Sequence, residues 1–117
     1  MARTLAELTT EVVRVYSEYD AQGTRHWSYK EAMADLPYQL GSLAKRMGQL
    51  DGLRYADGLT QEDLHGHIAD ELADIIAESL FIAHELHIDI NQAFDAMFVT
   101  DRKKIAERTT SVLEVNM

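Results

Sequence analysis

The stretch 70–81, DELADIIAESLF, constrains the fold most, because it places acids among residues that pack in protein interiors. At about 3.6 residues per turn, the acids of this region share one stripe of a helix. That stripe comprises Glu71, Asp74, Glu78 and Glu85. Apolar residues flank it on both sides, with Ile68, Leu72, Ile75, Ile82 and Leu86 on one side and Ala69, Ala73, Ile76, Leu80 and Ala83 on the other. A helix with this much apolar surface is buried in a bundle core or at a dimer interface.

Helical periodicity and cap residues predict four helices along the chain, and strand alternation is weak throughout. The predicted helices run from about Thr4 to Tyr19, Ser28 to Leu50, Thr60 to Leu86 and Asp89 to Arg108. Capping patterns mark the later starts, as the pairs Ser28–Glu31, Thr60–Asp63 and Asp89–Gln92. The sequence therefore predicts one all-α domain over residues 1–117, a four-helix bundle with a frayed tail at 110–117.

A single proline, Pro37, lies inside the second predicted helix. It either kinks that helix or restarts it, with Asp35 as the new N-cap. The direction in which the acids of this helix point depends on which of the two occurs.

The composition excludes several classes of function. A chain of 117 residues suits one domain, and its net charge of −9 repels phosphate backbones, so we expect no nucleic-acid partner. The absence of cysteine excludes disulfides and thiolate metal sites and fits a reducing compartment. No apolar run approaches about 20 residues, and the N-terminus lacks a signal-peptide pattern. We therefore expect a cytoplasmic protein without a membrane segment.

Two acids of the stripe have the spacing of a metal site. Glu71 and Asp74 are separated by one helical turn, so both carboxylates can point at one site. Buried carboxylates require a neutralising partner, which is an Arg or Lys, a proton or a divalent metal. Oxygen-rich clusters are what Mg²⁺ and Mn²⁺ prefer. The alternative is that the stripe is only the solvated face of a long helix.

Two further features allow both a functional and a structural interpretation. The basic residues of the fourth helix are Arg102, Lys103, Lys104 and Arg108. They suit phosphate contacts, or they balance a helix dipole and an acidic protein. Trp27 suits stacking on a base, and it equally suits a place in the core.

The segment 70–97, DELADIIAESLFIAHELHIDINQAFDAM, resembles the second half of the MazG-like nucleotide pyrophosphohydrolases. These belong to the all-α NTP pyrophosphatases, whose relatives include dimeric dUTPases and phosphoribosyl-ATP pyrophosphohydrolase. Glu71 and Asp74 match the family's Glu-x-x-Asp motif, and the turn 88–89 and the basic residues 102–104 follow in the family's order. The resemblance extends from about Leu5 to Arg108.

The resemblance implies a fold, a reaction and partners. In the family, a Glu-x-x-Glu on the second helix and the Glu-x-x-Asp on the third hold Mg²⁺ or Mn²⁺, and water attacks the α–β linkage of a nucleoside triphosphate. The products are a nucleoside monophosphate and pyrophosphate. By this resemblance Glu71 and Asp74 are catalytic metal ligands. The predicted substrate contacts are Ser42, Trp27, Arg102 and Lys104. The family also implies a homo-oligomer, a dimer or a dimer of dimers.

The second helix departs from the family pattern Glu-Glu-x-Gly-Glu-Leu-Ala. The aligned stretch 38–44 reads YQLGSLA, so Tyr38, Gln39 and Ser42 replace the three acids. Asp35 lies about one turn before Gln39, on roughly the same face. A re-sited metal centre would therefore draw on Asp35, Gln39, Glu71, Asp74 and Glu78.

Three hypotheses about function remain open at the level of sequence. The first is a divergent, metal-dependent nucleoside triphosphate pyrophosphohydrolase. The second is a catalytically inactive homologue that binds a nucleotide or has a regulatory role. The third is a plain helical interaction protein, for which Glu71 and Asp74 must be freely exposed.

Overall fold

A computed structural model describes residues 2–23 and 26–116, which form four α-helices and no strand. The helices are α1 (Leu5–Ala21), α2 (Tyr29–Leu50), α3 (Gln61–Glu85) and α4 (Ile90–Val115). The prediction of an all-α chain with four helices is confirmed over these residues. The chain divides into two compact units, Met1–His87 and Ile88–Met117, and each is described by itself below.

Side-chain caps explain where the helices begin. Thr60 accepts a hydrogen bond from the Asp63 amide and donates its own amide to the Asp63 carboxylate, both at 3.0 Å. Reciprocal caps of this kind also begin α1 and α2. At α4 the Asp89 carboxylate accepts a hydrogen bond from the Gln92 amide at 3.1 Å. Each cap satisfies amides that have no partner inside the helix, so the predicted starts of α2, α3 and α4 are confirmed.

Pro37 does not divide the second helix. Helix α2 is continuous from Tyr29 to Leu50 with Pro37 inside it, so the alternative of a restart is wrong and Asp35 is not an N-cap. The Gln39 amide donates a hydrogen bond to the Asp35 carboxylate at 3.0 Å, across the turn that holds the proline. Asp35 and Gln39 therefore lie on one face of an unbroken helix.

Helix α3 is the central element of the first unit, because it packs against both α1 and α2. The core consists of Ala32 from α2 and of Leu64, Leu80, Phe81 and Ala83 from α3. The ring of Tyr16 on α1 packs against Phe81, with 4.7 Å between ring centroids. Burial of these side chains holds the three helices together.

The apolar flanks of α3 are covered over only part of their length. Leu80 and Ala83 are buried, whereas Leu72 is 45% exposed and Ile76 is 53% exposed. Two neighbouring helices cannot surround a third on every side, so the middle of α3 keeps apolar surface in contact with solvent.

The connection between α2 and α3 is organised by a buried glutamine. Gln49 is only 3% exposed, and its amide donates hydrogen bonds to the Tyr55 carbonyl at 3.1 Å and to the Asp57 carboxylate at 3.3 Å. The Arg46 guanidinium donates to the Gln49 carbonyl oxygen at 3.1 Å. These bonds satisfy a buried polar group and fix the loop that sets α3 beside α2.

Helix α4, in the second unit, buries none of its side chains. It extends to Val115, past the predicted end at about Arg108 and through most of the segment predicted to fray. Its apolar residues include Phe98, which is 51% exposed, and Ile105, which is 62% exposed. Among the residues that the structure describes, neither α4 nor any other helix combines the length and apolar character needed to cross a membrane.

Candidate functional site

Acids from two helices meet where α1, α2 and α3 come together. The carboxyl group of Asp35 on α2 shares a hydrogen bond with that of Glu78 on α3. Glu78 is 4% exposed, whereas Asp74, one turn earlier on α3, is exposed. The charges of all three acids act on the hydroxyl of Tyr16 on α1 and raise its pKa. We refer to Tyr16, Asp35, Asp74 and Glu78 as the acidic site.

Burial is the main reason why Glu78 holds a proton at neutral pH. Removal from water raises the pKa of Glu78 to about 8, and the hydrogen bond with Asp35 and the charges of Asp35 and Asp74 raise it further in the same direction. The hydrogen bond with Glu78, followed by the one from Gln39, lowers the pKa of Asp35. The pair therefore carries one proton and one negative charge.

Tyr16 forms the third side of the acidic site. Burial raises the pKa of its hydroxyl to about 12, and the negative charges of Glu78, Asp74 and Asp35 add to this effect. The hydroxyl therefore stays neutral. Its ring is held by Phe81 at 4.7 Å and by Trp27 at 6.5 Å between centroids. Sequence reasoning missed Tyr16, although its spacing after Val12 on α1 places it on the apolar face of that helix.

Two carboxylate oxygens of α3 are buried without a hydrogen-bond partner. They are Oε2 of Glu78 and Oε2 of Glu71, which is half-buried on the same helix. An unsatisfied buried oxygen of this kind costs about 1–3 kcal/mol unless a proton donor or a cation meets it. The interpretation of the stripe as a fully solvated face is therefore wrong at Glu78 and holds only at Asp74.

The oxygen atoms of these residues are of the kind that bind a hard divalent cation, but the side chains are not arranged around one point. Carboxylate oxygens are what Mg²⁺ and Mn²⁺ prefer, and the two unpartnered oxygens suit a positive charge. Among residues 2–23 and 26–116, no group of three or more histidines and acids is arranged to hold a metal ion. Asp35 and Glu78 lie close enough for the pKa of each to depend on the other.

The structure brings some of the predicted site residues together and leaves others apart. Asp35, Gln39 and Glu78 are linked by hydrogen bonds, and Asp74 acts on Glu78 through its charge. Glu71 and Ser42 are half-buried on α3 and α2. Arg102 and Lys104 are exposed on α4, in the second unit.

Trp27 lies in an aromatic cluster rather than beside the acids. Its ring meets Tyr16 edge-on, and its indole Nε1 is buried without a hydrogen-bond partner. Its backbone amide donates to Asp20 at 3.1 Å, and the other oxygen of Asp20 lies 2.8 Å from His26. These contacts give Trp27 a packing role. Its predicted contact with substrate stays a prediction.

Comparison of the chain with protein-family models, with curated proteins and with solved structures finds no match. The case for a function therefore rests on the residues themselves. Its strongest element is the meeting of Asp35 with Glu78, which the order of residues along the chain does not reveal.

Proposed function

We propose that the acidic site binds a divalent cation and that the chain uses it to hydrolyse a nucleoside triphosphate to a nucleoside monophosphate and pyrophosphate. The observation that carries the proposal is the approach of Asp35 to the buried Glu78: Asp35 raises the pKa of Glu78, and Oε2 of Glu78 meets no hydrogen-bond donor. A cation in place of the shared proton would satisfy that oxygen and both carboxylates. The Glu71-x-x-Asp74 motif and the order of the helices support the choice of reaction by resemblance.

Each residue of the acidic site has a defined part in this proposal. Asp35 and Glu78 hold the cation, and Asp74 offers a third carboxylate from the exposed side of α3. When bound, the cation neutralises the polyphosphate and activates water for attack at the α–β linkage. Glu78 must lose its proton first, so the cation and the proton compete for one site. Tyr16 stays neutral beside them.

Asp35 takes the place of acids that the second helix lacks. The family pattern has carboxylates where this chain has Gln39 and Ser42. The Gln39 amide donates to Asp35 at 3.0 Å and so orients that carboxylate toward α3. A carboxylate at Gln39 could not donate this bond, so the substitution is coherent with a metal centre that has moved by one turn.

A second candidate function is binding of a nucleotide without turnover. Gln39 and Ser42 bring no charge, and no three ligands converge among the described residues. A site with fewer charges holds a cation less tightly, and phosphoryl chemistry depends on that charge. The second candidate predicts stabilisation by a nucleotide without release of pyrophosphate.

Calorimetric titration with Mn²⁺ tests the cation site without any need for activity. We expect affinity to fall roughly tenfold for each pH unit below the pKa of Glu78, with release of about one proton on binding. Glu78→Gln and Asp35→Asn should remove this binding, and the exposed Glu62→Gln on the same helix serves as the matched control. Equal Mn²⁺ affinity in wild type and Glu78→Gln would refute the site.

A turnover assay separates the two candidate functions. Folded protein is incubated with a panel of NTPs and dNTPs and Mg²⁺ or Mn²⁺, and pyrophosphate release and melting temperature are both recorded. Release that is lost in Asp35→Asn supports the enzyme. A nucleotide-dependent rise in melting temperature without release supports the binding function. The absence of both responses would refute both candidates and leave the hypothesis of a helical interaction protein.

A further inference from the structure

Helix α4 presents a continuous apolar face that nothing within its own unit covers. At about 100° per residue, its members lie within about 60° of one line along the helix. We call this face the α4 stripe, and its members are Ile90, Phe94, Met97, Phe98, Asp101, Ile105, Arg108, Val112 and Val115. The exposed fraction is 39% at Phe94, 58% at Val112 and 84% at Val115. A face of this kind marks an interaction surface.

Two charges of opposite sign lie inside the α4 stripe. Asp101 and Arg108 are two turns apart, or about 10.5 Å along the axis, which is too far for them to pair within one helix. Neither forms an ion pair with any described residue of its own unit. Charges within an apolar stripe select the partner and its direction, because each must meet its opposite.

We propose that two copies of this chain pair along the α4 stripe in antiparallel orientation, with Asp101 of each copy facing Arg108 of the other. The two-fold axis then passes midway between these residues, beside Ile105. A parallel pairing in register would set Asp101 against Asp101 and Arg108 against Arg108, which is unfavourable in an apolar setting. The inference does not depend on the acidic site.

The sizes of the side chains favour the same register. With Asp101 opposite Arg108, Met97 faces Val112 and Phe94 faces Val115. Large residues of the first half therefore meet small ones of the second half, as interdigitated packing requires. A parallel pair would instead stack Phe94 on Phe94 at one end and leave the valines apart at the other.

The surface of α4 offers shallow depressions where this register needs them. One is lined by Ser111, Val112, Val115 and Asn116, and another by Ile105, Arg108, Thr109, Val112 and Leu113. In this register Phe94 and Phe98 of a second copy lie over the first depression, and Met97 and Asp101 lie over the second. Insertion of such knobs into holes between four or five side chains is how paired helices pack.

The other charges of α4 are compatible with a second copy. Arg102 and Lys104 lie about 80° from the centre of the stripe, where long side chains reach past a partner into water. A net charge of −9 makes two copies repel one another in general. The attraction must therefore come from the stripe itself, which makes its two charges decisive.

Charge reversal measured by sedimentation velocity tests the pairing. We expect a dimer for the wild type. Asp101→Arg and Arg108→Asp should each raise the dissociation constant roughly tenfold or more, because each change creates two repulsive contacts. The double variant Asp101→Arg with Arg108→Asp should restore the wild-type constant to within about threefold. Matched controls on the opposite face are Glu107→Arg and Lys103→Asp, which should leave it unchanged.

Cross-linking tests the orientation with milder changes, since the natural chain has no cysteine. Met97→Cys and Val112→Cys proteins are mixed and oxidised, and an antiparallel pair yields the mixed disulfide dimer. Within one chain the two positions are about 22 Å apart along α4, so no internal bond can form. Met97→Cys alone should cross-link poorly.

Several results would overturn the proposal. A monomer at all concentrations up to the millimolar range would do so. A dimer that both single reversals leave intact would have to use another surface, such as the exposed Leu72 and Ile76 of α3, and would also refute it. Strong self-linking of Met97→Cys would show a parallel pair and refute the orientation.

Discussion

Helices α3 and α4 are of nearly equal length, 25 and 26 residues, yet they differ in the burial of the charged side chains that lie among their apolar residues. Helix α3 buries Glu78 together with four apolar side chains, and α4 buries nothing. Helix α3 is packed against α1 and α2, and Asp35 lies ready to meet its buried acid. A charge in an apolar stripe needs a partner of matching chemistry. The chain itself supplies one for Glu78, and we propose that a second copy supplies one for Asp101.

The largest difference is expected from truncating a phenylalanine on each helix. Phe81→Ala on α3 should lower the free energy of unfolding by about 3–5 kcal/mol, because the side chain is 6% exposed and its loss leaves a cavity. Phe98→Ala on α4 should change it by less than about 0.5 kcal/mol in dilute solution, because the side chain is 51% exposed. Urea unfolding followed by circular dichroism measures both. Equal losses would contradict the contrast between the helices.

A pH dependence of stability is expected from Glu78 on α3. The pKa of Glu78 is raised from 4.5 to about 8, so its contribution is complete below pH 4.5 and is lost as pH rises through about 8. Across that window the folded chain holds one proton more than the unfolded chain. The free energy of unfolding should therefore fall by up to about 1.4 kcal/mol per pH unit.

Amide substitution isolates this contribution. Glu78→Gln should flatten the slope between pH 4.5 and 8, whereas the exposed Glu62→Gln should keep it. Asp35 does not interfere in this window, because its pKa is lowered from 3.8 and its contribution is lost only as pH falls below that value. Thermal melts at half-unit pH intervals give the slope. A slope that persists in Glu78→Gln would assign the proton to another group.

The smallest effect is expected from the helix caps. Thr60→Ala removes a reciprocal cap at the start of α3 and should cost about 1 kcal/mol of global stability. Asp89→Ala removes a single acceptor at the start of α4. It should increase hydrogen exchange in the first turn of α4 and leave the unfolding of the first unit unchanged. Protection factors measured by mass spectrometry distinguish the two results, and a global loss in Asp89→Ala would contradict the division into units.

The helices themselves could be predicted because the interactions that begin them are local. The pairs Ser28–Glu31 and Thr60–Asp63 lie within one turn, so residue type and spacing suffice to identify them. The acidic site could be predicted only in part. Its members on α3 share a stripe, but the approach of Asp35 required α2 to remain helical through Pro37, which a local pattern leaves undecided. The place of Tyr16 beside the acids could not be predicted, because it depends on the packing of three helices that are distant in sequence.

Residue type and spacing are enough to predict four helices, the places where they begin and the common stripe of acids on α3. These follow from hydrogen bonds and periodicities that span a few residues. The packing of the helices makes Glu78 buried and raises its pKa, while Asp74, one turn away on the same stripe, stays exposed. The physical reason is that burial and pKa depend on the neighbour across the interface. Here that neighbour is α2, with Asp35 at the point of contact.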